Sequence, residues 1–179
     1  MPITPTQSQK QPASGGRNFL WSSLGIAALV VAADQASKLW IRSHLSPSES
    51  LPPEGFFRLT YIQNTGSAFG LFANQTLLLT IIGIVAVAAL LTFIRHQPLR
   101  NIWGSLAVSL LLGGSAGNLL DRLRLGYVTD FIDIGLENGF RFFVFNVADS
   151  AITVGTFLLA FTLLRLGRQA PPTTPPEGK

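Results

Sequence analysis

"LFANQTLLLTIIGIVAVAALLTFI", residues 71–94, runs for 24 positions without a charged side chain. As a helix rising about 1.5 Å per residue it reaches roughly 36 Å, enough to cross the ~30 Å hydrocarbon core of a bilayer. Working outward, three more oily runs appear: Phe19 to about Ile41, Asn101–Leu120, and a run from near Asp149 to near Leu164. The whole chain of 179 residues is 47% hydrophobic and 12% charged, where a soluble domain carries about 25% charge. A membrane protein with four spans follows. "VVAADQ" at 31–36 has the small residues of a leader-peptide cleavage site. The helical pattern nevertheless continues through "ASKLWI", and three spans follow, which favours a retained first span.

The ends differ from the middle. Residues 1–18 and 169–179 are polar and rich in Pro, Ser, Thr and Gln, so both read as disordered tails around a membrane domain over 19–168. The net charge is +4, yet no basic stripe interleaved with aromatics is present, which argues against nucleic acid as a partner. There are no cysteines, so disulfides, thiol catalysis and cysteine-bound metals are excluded. His44 and His96 fall on opposite faces, and no phosphate loop appears; neither a metal nor a cofactor is expected.

The connectors set the topology. A short one at 96–100 makes spans two and three an antiparallel hairpin. The two long ones, 43–70 and 121–147, contain strand-like "FFRLTYIQ" and "FRFFVF" bounded by Pro and Gly. The fold class expected is therefore membrane all-α with a small β element: four transmembrane helices plus a small extracytoplasmic sheet built by the two long connectors. Alternation of span direction puts both long connectors on one face. Seven Lys and Arg lie on the tail side against six on the other, a slight vote for cytoplasmic termini.

Nearly all the unusual polar residues collect on the long-connector face. Asp34 and Lys38 are one helical turn apart and can pair; a salt bridge closing the helix at the interface is the plainer reading. Asn64 and Gly66 read as a turn and cap leading into span two. Gly113–Gly117 suits close helix packing in lipid. Asn118 and Asp121 share a face, and Asp121, at a helix C-terminus, needs Arg122 or Lys38 as a counter-ion. Asn146 and Asp149 resemble an N-cap followed by an acid in the first turn. Asp130 lies just before or within a short strand and has no such structural explanation. Asp133 and Glu137 look like solvated loop acids.

Two carboxylates at one site permit a specific reaction. If Asp130 and Asp149 meet around one water, their like charges oppose double ionisation and a proton is shared. The ionised acid takes a proton from water while the protonated one hydrogen-bonds the carbonyl under attack. The rivals are a proton- or ion-coupled transporter using intramembrane acids and a non-catalytic scaffold whose polar network only orders helix ends.

"DQASK" (34–38), "NTGSAF" (64–69), "GNLLDR" (117–122), "VTDF" (128–131) and "FNVAD" (145–149) resemble, in order and spacing, the motifs of the lipoprotein signal peptidase (signal peptidase II) family. The resemblance covers about Phe19 to Arg168. It implies a multi-pass, monomeric aspartic endopeptidase of the bacterial inner membrane, with cytoplasmic termini and its site near the extracytoplasmic face. Such an enzyme cuts diacylglyceryl-modified prolipoproteins just before the lipidated cysteine, contacts membrane lipid, and is inhibited by globomycin. By position in the motifs, Asp130 and Asp149 match the catalytic pair. Asp34, Lys38, Asn64, Gly66, Asn118, Asp121, Arg122 and Asn146 match residues that shape the site and hold substrate. Ser67, and Ser115 with Ala116, depart from the usual pattern, and Gly113–Gly117 is expected to thin the helix wall where acyl chains lie.

Overall fold

A computed structural model describes residues 14–66, 72, 74–96, 101–136 and 139–169, with side chains from 19 to 167. The element order is α1 (Ser14–His44), β1 (Ser50–Leu51), β2 (Phe57–Asn64), α2 (Thr76–His96), α3 (Ile102–Leu125), β3 (Val128–Ile134) and α4 (Val147–Gln169). Each helix is long and apolar enough to cross a bilayer.

The boundaries moved for identifiable reasons. α1 begins at Ser14, so the last five residues of the stretch expected as a tail continue the helix. α2 starts at Thr76, five residues later than expected, because Phe72 (φ 56°) and Asn74 (φ 63°) sit in left-handed conformations that a helix cannot incorporate. Asn101 caps α3 by accepting from the Gly104 N–H at 2.8 Å, and Gly126 (φ 81°) ends it by donating to the Arg122 carbonyl.

α3 is the central helix. It packs against all three others, most extensively α4 and then α1. Its glycines are the reason. A Cβ on Gly114 would lie 2.5 Å from the Ala148 carbonyl of α4, and one on Gly117 would lie 2.6 Å from Asp34 Oδ2 of α1. A Cβ on Gly113 would meet Val30 of α1 at 2.7 Å. These residues therefore seat neighbouring helices, and the expectation that they thin a wall for acyl chains is wrong at Gly113, Gly114 and Gly117.

The connectors build one antiparallel sheet of order β1–β2–β3. β2 pairs with β3 from Phe57↔Ile134 to Asn64↔Val128, with a bulge between Leu59 and Ile62. Behind the sheet, Ile41 and Leu45 of α1 pack on Tyr61 and Phe131 and fasten it to the bundle. The run "FRFFVF" does not form a strand. It follows β3 through two isolated bridges, Gly135↔Arg141 and Ile132↔Phe145. These differ in register by one residue, and that slip breaks the ladder. The third strand comes from "VTDFIDI" instead.

Candidate active site

The site forms where α4 begins. A new helix has N–H groups with no partner in their own helix, and here side chains supply the acceptors. Asn146 Oδ1 accepts from the Asp149 N–H at 2.9 Å, while Asp149 Oδ2 accepts from the Asn146 N–H at 3.2 Å, a reciprocal capping box. Asp34 Oδ1, reaching across from α1, accepts from the Ala148 N–H at 3.0 Å. The cap expected of Asn146 and Asp149 is present, and it leaves the second oxygen of Asp149 available to Asn118, whose Nδ2 donates to Oδ1 at 2.8 Å.

β3 delivers the second acid. Asp130 is 2% exposed. Its carboxylate accepts from Asn146 Nδ2 at 2.7 Å and from Asn64 Nδ2 at 2.8 Å. Asn146 thus holds both Asp130 and Asp149, one through its side chain and one through its backbone. Asn64 is not the cap of α2: it closes β2, and its Oδ1 accepts from the Gly66 N–H at 2.9 Å. Burial, and secondly the neighbouring Asp149 charge, push the Asp130 carboxyl up from its ordinary value of 3.8 to about 7, outweighing the bonds from Asn64 and Asn146.

A buried ion cluster supports this pair. Lys38, fully enclosed, contacts Asp34 at 2.9 Å, Asp121 at 3.3 Å and Asn118 Oδ1 at 2.9 Å. Lys38 thereby fixes the orientation of the Asn118 amide, whose other end meets Asp149. The Asp34–Lys38 pair lies inside the protein instead of at an exposed interface. Lys38, with Arg42 at 3.8 Å, is the counter-ion of Asp121. Asp121 also accepts from the Thr129 N–H at 2.9 Å, anchoring β3 one residue before Asp130. Arg122 turns the other way, donating to the Gly66 carbonyl at 3.1 Å.

Asp130, Asp149, Asn64, Asn118 and Arg122 all line one cavity of about 320 Å³, with apolar walls from α2 and α4. Every candidate residue singled out in the sequence is therefore in this site or in the shell that braces it. Ser67 and Glu137 lie outside the described residues. Asp133 is a correction: it is 2% exposed, not a solvated loop acid. Arg58 Nη2 at 2.7 Å, Arg141 Nη2 at 2.8 Å and the Thr60 hydroxyl at 2.7 Å all meet it. Burial raises its pKa, but these three partners more than compensate and hold it below the ordinary value. The signal for it was Arg58, opposite Asp133 once β2 and β3 are aligned. Gln35 was also missed; its Nε2 donates to Asp34, Asp121 and the Gly117 carbonyl, stitching α1 to α3.

The same chain matches known proteins over this whole region. A family model described as signal peptidase (SPase) II matches residues 26–165. The lipoprotein signal peptidase of Moorella thermoacetica is 44% identical over 140 residues, covering 78% of this chain and 90% of that protein. That of Streptococcus pyogenes is 41% identical over 136 residues, covering 75% and 88%. Two solved structures of bacterial membrane enzymes superpose with TM-scores of 0.76 and 0.71, at 33% and 35% identity. They cover 88% and 82% of this chain, and 96% and 95% of theirs. With the match spanning both acids, their amide partners and all four helices, the chain belongs to the signal peptidase II family.

Proposed function

We propose that this protein is an aspartic endopeptidase of the bacterial cytoplasmic membrane. It removes signal peptides from diacylglyceryl-modified prolipoproteins, cutting just before the lipidated cysteine. The observation that carries the aspartic mechanism is Asn146 binding both Asp130 and Asp149 at the wall of one cavity. Asp130, with a pKa near 7, can hold a proton at neutral pH. Asp149 sits in the first turn of α4 and lines the same cavity, and it is assigned the role of base. Asp149 takes a proton from water, the hydroxyl oxygen adds to the scissile carbonyl carbon, and Asp130 donates a hydrogen bond to the carbonyl oxygen. Collapse of the tetrahedral intermediate breaks the C–N bond, and the proton taken by Asp149 passes to the leaving amine.

Asp130→Asn and Asp149→Asn each slow cleavage of a lipobox precursor by at least about a hundredfold in protein that still inserts. Processing at close to the parent rate in either variant overturns the mechanism. Globomycin is the expected inhibitor.

The transporter reading is disfavoured by placement. Among the described residues, the helical acids are Asp34, Asp121 and Asp149, all gathered at the sheet end. The sheet is assigned to the extracytoplasmic side and both tails to the cytoplasm. Because the chain has no cysteine, a cysteine replacing exposed Glu54 will react with an impermeant maleimide in intact cells, and one replacing Glu177 will not.

A further inference from the structure

Hydroxyls in a lipid-embedded helix are ordinarily satisfied by the helix itself or a neighbour. Thr80, Thr92, Ser109, Thr153, Thr156 and Thr162 each donate to the carbonyl four residues earlier, at 2.7–2.8 Å. Ser150 does the same at 3.0 Å, Ser105 pairs with Ser23, and Thr76 donates to the Thr65 carbonyl. Ser115 is the exception among the described Ser and Thr of α2, α3 and α4. Its hydroxyl has no hydrogen-bond partner among the described residues, and its side chain lines the cavity that holds Asp130 and Asp149.

Its depth says what it meets. α3 ends at the site, so Ser115, three residues before Asn118 and on the same face, lies about 4.5 Å further into the bilayer. α2 and α4 begin at the site, and cavity-lining Ile152 of α4 packs against Gly114, the neighbour of Ser115. The cavity thus extends from the acids down into oil, the direction from which a signal peptide's apolar helix arrives. The last four carbonyls of a helix have no partner of their own. Such a helix, ended at the cut bond, presents them toward the site, where each unsatisfied one is costly in a medium without water.

Resting on the peptidase reading above, we infer that Ser115 is a substrate-binding residue. Its hydroxyl donates a hydrogen bond to a substrate carbonyl on the lipid side of the scissile bond. Two carbonyls can occupy that place: a backbone carbonyl of the signal peptide and an ester carbonyl of the diacylglyceryl group. Gly113, Gly114 and Gly117 are occupied by α1 and α4, so within this small-residue stretch it is Ser115 that is turned to the cavity.

The test compares parent and Ser115→Ala enzymes, full length in detergent, on two synthetic lipobox peptides. One carries a diester lipid on cysteine, the other the dialkyl ether analogue, which has no ester carbonyl. A contact made equally in ground and transition states raises KM and leaves kcat; for one hydrogen bond the rise is roughly three- to tenfold. A rise with both peptides assigns the backbone carbonyl, and a rise with the diester alone assigns the ester. KM within twofold of the parent on both, or a loss confined to kcat, overturns the inference. Parent enzyme that cuts neither peptide would instead overturn the peptidase reading itself.

Discussion

Asp34, Asp121 and Asp133 are held by cations: Lys38, Lys38 with Arg42, and Arg58 with Arg141. Asp130 and Asp149, a few residues away, take hydrogen bonds from Asn64, Asn118 and Asn146, and no cation is within ion-pair distance of either among the described residues. The same side chain is put to two uses. A cation pairs with an acid and fixes it by charge; a neutral amide orients it by hydrogen bonding without neutralising it. The amides are themselves aimed by the charged set, since Lys38 holds Asn118 and Asp34 caps the helix that carries Asp149. The first group frames the site, and the second is equipped for chemistry.

The largest break in this division comes from Lys38→Met. It strands Asp34 as a buried carboxylate and leaves Asp121 with Arg42 alone at 3.8 Å, and removing one partner of a buried pair costs about 3–5 kcal/mol. Thermal unfolding in detergent will show the loss, and adding Asp34→Asn to Lys38→Met will recover part of it. No such recovery would mean that Lys38 matters through packing alone.

Next in size is the pH response of Asp130. Its folded pKa of about 7 lies above the ordinary 3.8, so the folded state keeps a proton that the unfolded chain releases. The sign follows: stability from this group is present below pH ~4, declines as pH rises, and is lost above ~7. The full penalty is on the order of 4 kcal/mol. Asp130→Asn removes it, so unfolding curves of parent and variant converge near pH 4, with the variant more stable at pH 8. For the parent, kcat/KM falls above pH ~7 as the required proton leaves. A variant no more stable at pH 8 than at pH 4, relative to the parent, would place the raised pKa elsewhere.

Asp133→Ala tests the cation-held class where no chemistry is proposed. It leaves Arg58 and Arg141 facing each other without their acid, at a cost of about 2 kcal/mol. The partners of Asp130, Asn64 and Asn146, are untouched, so kcat stays within a few-fold of the parent.

How legible these two classes were depends on how far apart their members lie in the chain. Asp149 and Asn146 form a local cap three residues apart, and Asp34 with Lys38 spans one helical turn, so both were visible as spacing. Asp133 was misread because Arg58 lies 75 residues away and meets it only through the β2–β3 register. The spans were plain from hydropathy. The start of α2 was not, because two left-handed residues, Phe72 and Asn74, look locally like the rest of an uncharged run. "FRFFVF" carries every mark of a strand, yet a one-residue slip against β3 is decided by tertiary contacts such as the Arg141–Gly135 approach.

The smallest effect belongs to the far end of the bundle, remote from both classes. Asn101 caps α3 through Gly104, at the end of the helix opposite Asn118 and Asp121. Asn101→Ala leaves that N–H without its acceptor and costs about 1 kcal/mol, as for other lost caps. α3 braces every other helix, so the loss appears as a lower unfolding temperature of the whole bundle. The Asn118 and Lys38 contacts lie more than four turns away and keep their geometry, leaving kcat, KM and the pH profile unchanged. A shift in the basic limb of that profile in Asn101→Ala would mean the acids sense the stability of the whole helix, and the separation of frame from chemistry would then be too sharply drawn.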